Sequence, residues 1–160
     1  MIELAPVGFV RGGREEPIDD DWDSVEAVIE LDGSRFGSEV VAGLDEFSHL
    51  DVVFVFDRVA DADVHLGARR PRGRADWPEV GIFAQRAKVR PNRIGVSTCR
   101  LLAVDGLTLR VRGLDAIDGS PVLDVKPHVE EMGPREAVSE PSWMRELMQA
   151  YWQSDATPRS

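Results

Sequence analysis

Residues 95–112 read GVSTCRLLAVDGLTLRVR, two apolar runs separated by an Asp-Gly pair. Asp-Gly between two such runs is typical of the tight turn in a β-hairpin, so the pattern predicts strands at 95–104 and 107–112. Strands joined by so short a turn are antiparallel. We therefore expect antiparallel pairing in this part of the chain.

Strand patterns recur on both sides of this hairpin. Residues 25–31, VEAVIEL, alternate apolar and acidic side chains, as a half-buried strand does. Residues 49–57, HLDVVFVFD, are rich in β-branched and aromatic residues and are the best candidate for a central strand. Further strands are predicted within 1–10 and at 81–84 and 122–126.

Helical patterns are few. A short piece is predicted near 37–42 and a clearer helix near 141–152, where Trp143 and Leu147 share an apolar face. Strands therefore follow one another without long helices between them. This order favours a mainly β fold, an antiparallel sheet or closed barrel, over a doubly wound parallel sheet.

Length and composition indicate a single globular domain. The 160 residues suffice for one core, with 42% hydrophobic and 30% charged residues. We expect one domain over 1–153 and a flexible C-terminal tail at 154–160. The first ten residues lack a basic leader, and no apolar run approaches the roughly 20 residues that span a bilayer. The expected location is cytoplasmic with no membrane contact, and the lone Cys99 is interpreted as a packed thiol.

The net charge of -10 is unevenly distributed. Residues 69–100 contain nine basic and two acidic residues, a local charge of +7, and the remainder carries ten basic and 27 acidic residues. A basic segment within an acidic body can direct an anionic ligand, such as nucleic acid, to one place. The alternative is a solvated basic loop that acidic neighbours balance.

The common catalytic motifs are absent from the sequence. His49, His65 and His128 with one cysteine do not have the spacing of zinc ligands, so no metal is expected. There is no phosphate-loop lysine motif and no strand-linked GxGxxG. A Ser-centred nucleophile elbow is also missing, which leaves little support for acyl-transfer hydrolysis.

Two loop-to-strand segments remain as candidates for a site. Residues 81–97, GIFAQRAKVRPNRIGVS, place a rigid proline between a guanidinium and a carboxamide. Residues 113–128, GLDAIDGSPVLDVKPH, carry Asp124 and Lys126 two positions apart, on one face of a strand. Without further information the first segment reads as an ordinary loop, and the second as a turn followed by a surface ion pair.

Three motifs resemble the hallmark segments of the TsaA-like family. They are GLDEFSHLDVVFVF at 43–56, FAQRAKVRPNRIGVS at 83–97 and LDAIDGSPVLDVKPH at 114–128, in the family's order and spacing. With PVGFVR at 6–11, the resemblance covers 6–128. It implies a small antiparallel β-barrel with short peripheral helices and a C-terminal helix, which binds S-adenosylmethionine and forms a homodimer. It also implies N6-methylation of threonylcarbamoyladenosine at position 37 of tRNA.

The resemblance implies roles for individual residues. The S-adenosylmethionine pocket would include Asp57, Arg58, Arg86, Val96, Leu114, Asp115, Ala116 and Ile117. The reacting side would include Asn92, Asp118, Asp124 and Lys126, with Asp118 or Asp124 accepting a proton directly or through water. The tRNA phosphates would meet the basic segment, at Arg70, Arg72, Arg74, Lys88, Arg90 and Arg93.

The sequence departs from the family pattern at several motif positions. Asp57 and Arg58 stand where His-Gln is frequent, Arg93 replaces proline, and His128 replaces tyrosine. Three other functions therefore stay open: an S-adenosylmethionine-binding sensor or scaffold, a methyltransferase for a non-tRNA acceptor, and a generic RNA-binding barrel. The last has weak support, because few exposed aromatic residues are available to stack on bases.

Overall fold

Six strands close into an antiparallel barrel in a computed structural model that describes residues 1–153. Their order around the barrel is β1-β2-β7-β6-β3-β8. Two shorter strands, β4 and β5, form a separate hairpin. The strand bounds are Gly8–Arg11 (β1), Glu26–Leu31 (β2), His49–Val55 (β3), Ala68–Arg69 (β4), Val80–Gly81 (β5), Ile94–Asp105 (β6), Thr108–Arg112 (β7) and Pro121–Pro127 (β8). The mainly β barrel that the sequence predicts is confirmed.

Helical structure is short throughout the described residues. The one α-helix, α1, spans Ser142–Met148. Single 3-10 turns occupy Ser38–Val41, Leu44–Glu46, Asp61–Asp63, Pro71–Gly73, Ile82–Ala84, Pro91–Arg93 and Glu130–Met132. No helix within residues 1–153 has the length and apolar character needed to span a membrane. The predicted tail at 154–160 lies outside the described residues.

Alternation of side chains along each strand fills the barrel. On β3, Leu50, Val52 and Phe54 point inward and are almost completely buried. On β6, Gly95 leaves room for aromatic rings, because a Cβ there would lie 2.6 Å from Phe54 Cζ and 2.9 Å from Phe56 Cζ. The interior is therefore packed with side chains and is not an open channel.

The hairpin predicted from the Asp-Gly pair forms as expected. In its register Asp105 pairs with Thr108, and Gly106 at the turn has a φ of 56°, a conformation that favours glycine. β3 lies between β6 and β8 with seven and five paired positions, so it is a central strand. The predicted β-patterns at 25–31, 49–57, 95–104 and 122–126 all coincide with barrel strands to within a few residues.

One predicted strand is wrong and one helix is shorter than predicted. At 81–84 the chain leaves β5 after Gly81 and makes a 3-10 turn that buries Ile82. The 141–152 helix ends at Met148, and beyond it the amides of Gln149 and Tyr151 bond to carbonyls three residues back instead of four. The carbonyls of residues 150–152 accept hydrogen bonds from the amides of residues 21–23. The piece near 37–42 is a 3-10 turn and not an α-helix.

Candidate functional site

A cleft opens along β6 and beside the loop that follows β7. Its walls come from residues 17–23, the segment 83–90, β6, the loop 112–120 and the C-terminal segment 143–152. These segments are far apart in sequence, and the barrel brings them together because β6 pairs with both β3 and β7. The 81–97 and 113–128 segments that stand out in the sequence thus meet in one place.

The C-terminal segment forms one wall of this cleft. Backbone amides of Asp21 and Trp22 donate to the carbonyls of Ala150 and Tyr151 at 3.0 and 2.9 Å. The indole of Trp77 donates to Oε2 of Glu146 at 2.9 Å, which fixes α1 from its other side. The apolar face predicted for this helix lies against the cleft, where its largest residues are Trp143, Met144, Leu147, Met148 and Trp152.

Tyr151 ties this wall to the opposite one. Its hydroxyl donates a hydrogen bond to Oδ2 of Asp115, in the loop after β7. Burial, together with the Asp115 carboxylate, raises the pKa of the Tyr151 hydroxyl well above its usual range. The hydroxyl is therefore a permanent donor to this carboxylate at physiological pH.

Four buried polar atoms have no hydrogen-bond partner within residues 1–153. They are Nε of Arg69, Oε1 of Gln85, Oγ of Ser97 and Oδ1 of Asp115. All four of these residues line the cleft. Buried polar atoms are normally paired, since leaving one unpaired costs about 1 to 3 kcal/mol. Because all four atoms belong to residues of one cleft, this cleft is the candidate site for a polar ligand.

The cleft also concentrates positive charge. Its described lining contains eight arginine and lysine residues and four aspartates, whereas the whole chain carries a charge of -10. A cleft of one sign within a body of the other attracts ligands of opposite charge. The local excess of basic residues in the sequence thus has a structural counterpart, and an anionic group on the ligand fits it.

Seven of the eight residues predicted for cofactor binding line the cleft: Asp57, Arg58, Arg86, Val96, Asp115, Ala116 and Ile117. The Arg86 guanidinium donates to the Val96 carbonyl at 2.7 Å, and Arg58 donates to the Glu15 carbonyl at 2.6 Å. Leu114 points into the barrel core and is 1% exposed, so it supports the loop from behind.

The four residues predicted for the reacting side lie away from the cleft lining. Oδ1 of Asp118 accepts a hydrogen bond from the Gly12 amide at 2.9 Å, which fastens the 12–14 loop. Asp124 pairs with Lys126 at 2.7 Å on β8, and both side chains are about half exposed. Asn92 is exposed in the Pro91–Arg93 turn with a φ of 64°. Of these four residues, Asp124 and Lys126 are in contact with each other.

The residues predicted to contact RNA phosphates divide into two groups. Three of them form ion pairs: Arg72 with Asp20 at 3.0 Å, Arg74 with Asp76, and Arg93 with Asp61 at 3.0 Å. The other three, Arg70, Lys88 and Arg90, have no carboxylate partner within residues 1–153. Of these, Lys88 and Arg90 line the cleft, and Arg90 donates to the Gln85 carbonyl at 2.6 Å.

Several cleft residues are not singled out by the sequence analysis. Gln85 and Ser97 lie inside the 83–97 motif, but nothing in the sequence shows that their side chains are buried without partners. For Tyr151 the helical spacing indicates only an apolar face, not a bond to Asp115. A cluster on the outer barrel face is also unpredicted: Thr98 donates to Asp51 at 2.6 Å, and His128 Nδ1 lies 3.0 Å from the same oxygen.

Cys99 is buried in the barrel, as predicted for a packed thiol. Burial, with smaller effects from the Asp115 and Asp51 charges, raises its pKa to about 12. A thiol that stays protonated is a poor nucleophile. Within residues 1–153, no group of three or more His, Cys, Asp or Glu side chains is arranged to hold a metal ion.

Fold and site together define a closed antiparallel barrel with a polar, cation-lined ligand cleft. The model of the tRNA-methyltransferase O N-terminal domain matches residues 14–133, and the chain belongs to this family. The resemblance to the TsaA-like family is thereby confirmed.

Three comparisons illustrate the relationship. A probable S-adenosyl-L-methionine-binding protein of Methanothermobacter thermautotrophicus is 36% identical over 140 residues, covering 82% of this chain and 93% of that protein. The tRNA (adenine(37)-N6)-methyltransferase of Escherichia coli is 39% identical over 98 residues, covering 58% of this chain and 40% of the enzyme. The crystal structure of TrmO from Pseudomonas aeruginosa superposes with a TM-score of 0.72 at 26% identity, covering 89% of this chain and 62% of that structure. The chain thus spans less than two thirds of the last two.

Proposed function

We propose that this protein is an S-adenosylmethionine-dependent tRNA methyltransferase that acts on N6 of the adenosine at position 37. Membership in the tRNA-methyltransferase O N-terminal domain family supports the reaction class. The name of the E. coli relative supports the acceptor. The resemblance of the three motifs further supports threonylcarbamoyladenosine as the form of adenosine that is methylated.

The observation that carries the proposal is the set of four unpartnered polar atoms in one cleft. Oδ1 of Asp115, Oε1 of Gln85 and Oγ of Ser97 can accept hydrogen bonds, and Arg69 Nε can donate one. S-adenosylmethionine offers matching groups: an ammonium, ribose hydroxyls and an adenine amine that donate, and a carboxylate that accepts. The residues present therefore fit the cofactor, which when bound supplies an electrophilic methyl group.

The chain's own residues would bind and shield this cofactor. We assign the polar contacts to Asp115 and Arg86, and the apolar walls to Val96, Ala116 and Ile117, which line the cleft. Leu114 holds the loop against the core, and α1 covers the cleft with its apolar face. Exclusion of water by such a wall strengthens the electrostatic contacts inside the cleft.

The acceptor side of the proposal rests on charge. Lys88 and Arg90 line the cleft and have no carboxylate partner in the described part of the chain, so we propose them as contacts for RNA phosphates. Phosphate contacts for Arg70, Arg72, Arg74 and Arg93 stay predictions, as do proton transfer by Asp118 or Asp124 and roles at the reacting centre for Asn92 and Lys126.

The proposal includes a homodimer in the cytoplasm, where tRNA is modified. The sequence pattern leaves two places for the apolar face of α1, the barrel of its own chain or a second copy. The face lies against the cleft of its own chain, so it does not argue for a dimer. Phe83 and Met132, two exposed apolar side chains among the residues that line the cleft, offer a surface for one. Light scattering at micromolar concentration should give twice the 17.7 kDa chain mass, and a strict monomer would refute the dimer.

Calorimetry with S-adenosylmethionine and its demethylated product tests the cofactor site. We expect one site per chain, and weakening by about 1 to 3 kcal/mol in Asp115→Asn, because a charge-assisted hydrogen bond is lost. Asp63→Asn is the matched control, since Asp63 is exposed and outside the cleft lining. Absence of heat with both compounds, or equal affinity in both variants, would refute the proposed cofactor site.

A further inference from the structure

Arg100 and Arg112 stand directly opposite one another on β6 and β7. Cross-strand pairs of this kind have Cβ atoms about 4.5 to 5.5 Å apart, and like charges so placed destabilise a sheet. Both side chains are exposed, and neither forms a hydrogen bond or ion pair within residues 1–153. The barrel therefore places two like charges opposite one another, and an external anion would relieve their repulsion.

In the strand register the pair has one acidic neighbour. In the register, His49 lies beyond Arg100 on β3 and Glu26 lies beyond Arg112 on β2. Glu26 forms no ion pair with Arg112 at 4 Å or less. The Nδ1 atom of His49 lies 2.6 Å from Oγ of Ser48, within hydrogen-bonding distance. The row thus contains two arginines, a histidine and one glutamate, on the outer face of the barrel.

The position of the pair connects it to the cleft. Arg100 and Arg112 both line it, together with Thr98 and the loop that carries Asp115. Arg72, Arg74 and Arg93 are neutralised by aspartates, whereas these two arginines are not. A pair of guanidinium groups is well matched to phosphate oxygens, which they can bind with paired hydrogen bonds.

We propose that Arg100 and Arg112 form a phosphate-binding site for the backbone of the RNA substrate. The inference rests on the proposed tRNA methyltransferase function and adds two contacts that the sequence analysis does not assign. RNA is the occupant that the charge pattern favours, because the pair extends the positive lining of the cleft while most of the chain is acidic. A carboxylate of the cofactor or of a second copy is the competing occupant.

The test measures the affinity for a fluorescent anticodon stem-loop RNA across a series of salt concentrations. It compares the double variant Arg100→Gln/Arg112→Gln with the control double variant Arg11→Gln/Arg145→Gln. The control removes the same charge from arginines that pair with Glu30 and Glu140 outside the cleft lining. Each phosphate contact contributes roughly 0.7 to 0.9 to the slope of log affinity against log salt. The slope should fall by about 1.4 to 1.8 in the test variant and should not change in the control.

Further measurements separate this site from the proposed function. Arg100→Lys/Arg112→Lys should retain most of the slope, and the Gln variant should melt no lower than the wild type because repulsion is relieved. S-adenosylmethionine affinity, measured by calorimetry, should be unchanged in both variants.

An unchanged salt slope of RNA affinity in the Gln variant would overturn the phosphate site alone. If the slope does not change but cofactor affinity falls, the pair binds the carboxylate of the cofactor. If the slope does not change but the dimer is lost, the pair binds a carboxylate of a second copy. A wild type without salt-dependent RNA binding would overturn the site and the tRNA acceptor together.

Discussion

The Tyr151 hydroxyl donates to Oδ2 of Asp115, while Oδ1 of the same carboxylate is buried and has no partner within residues 1–153. One oxygen thus holds the C-terminal segment in place, and the other belongs to a residue that lines the cleft. A single carboxylate joins the packing of α1 to the ligand site. Ligand binding and the position of the C-terminal segment are therefore expected to be coupled.

Replacing Tyr151 by Phe should destabilise the protein. The change removes the only hydrogen bond that Asp115 Oδ2 makes within residues 1–153, and leaves that oxygen in a partly buried position. The free energy of unfolding should fall by about 1 to 3 kcal/mol, measured by chemical denaturation. Equal stability of the two proteins would mean that the bond does not hold the segment.

Replacing Gly95 by Ala should disturb the barrel interior. Its new Cβ would lie 2.6 Å from Phe54 Cζ and 2.8 Å from Cε2, which are core atoms. Overpacking of this kind costs about 1 to 3 kcal/mol. Gly81→Ala is the matched control, because a Cβ there meets no atom within 4 Å. The explanation fails if thermal melting shows the same small effect in both variants.

The Cys99 thiol should resist alkylation in the folded protein at neutral pH, because burial raises the pKa of this thiol to about 12. A raised folded-state pKa contributes stability that is complete below the unfolded pKa and is lost as the pH rises toward 12. The free energy of unfolding should therefore fall above pH 9 by up to about 1.4 kcal/mol per pH unit more than in Cys99→Ala. Parallel pH profiles, or rapid alkylation of the native protein, would contradict this account.

Two cleft-lining cations should respond differently to removal. Arg72 pairs with Asp20 at 3.0 Å and both side chains are less than one third exposed, so Arg72→Gln should lower the melting temperature. Lys88 has no carboxylate partner within residues 1–153. Lys88→Gln should instead lower the salt slope of RNA affinity by roughly 0.7 to 0.9 and leave the melting temperature unchanged. The reverse pattern would show that Arg72, and not Lys88, contacts RNA.

The barrel could be predicted because its signals are local. Alternating side chains at 25–31 and the Asp-Gly turn at 105–106 each specify a strand or a hairpin without knowledge of the rest of the chain. The strand predicted at 81–84 was wrong because tertiary packing determines this segment. Gln85 bonds to the carbonyls of Arg69 and Val80, and the buried Ile82 turns the chain into the core.

The site could be predicted only in part, because it depends on contacts between distant parts of the chain. The motif positions Arg86, Val96, Asp115 and Ala116 line the cleft, and their contacts with the cofactor stay predictions. Ion pairs between residues that are far apart in the sequence could not be predicted. Arg72, for example, pairs with Asp20, which lies 52 positions away. The net charge of the basic segment in the sequence is therefore larger than the positive charge that is available to a ligand. The strand register is needed to see that Arg112 stands opposite Arg100.

Methyl transfer to tRNA from isotopically labelled S-adenosylmethionine tests the central claim most directly. The purified protein would be incubated with bulk tRNA from cells that lack its gene, and the digested nucleosides would be analysed by mass spectrometry. We predict that label appears on N6 of threonylcarbamoyladenosine and that Asp115→Asn, which weakens cofactor binding, reduces it. A protein that binds the cofactor by calorimetry yet transfers no label to any tRNA nucleoside would contradict the account.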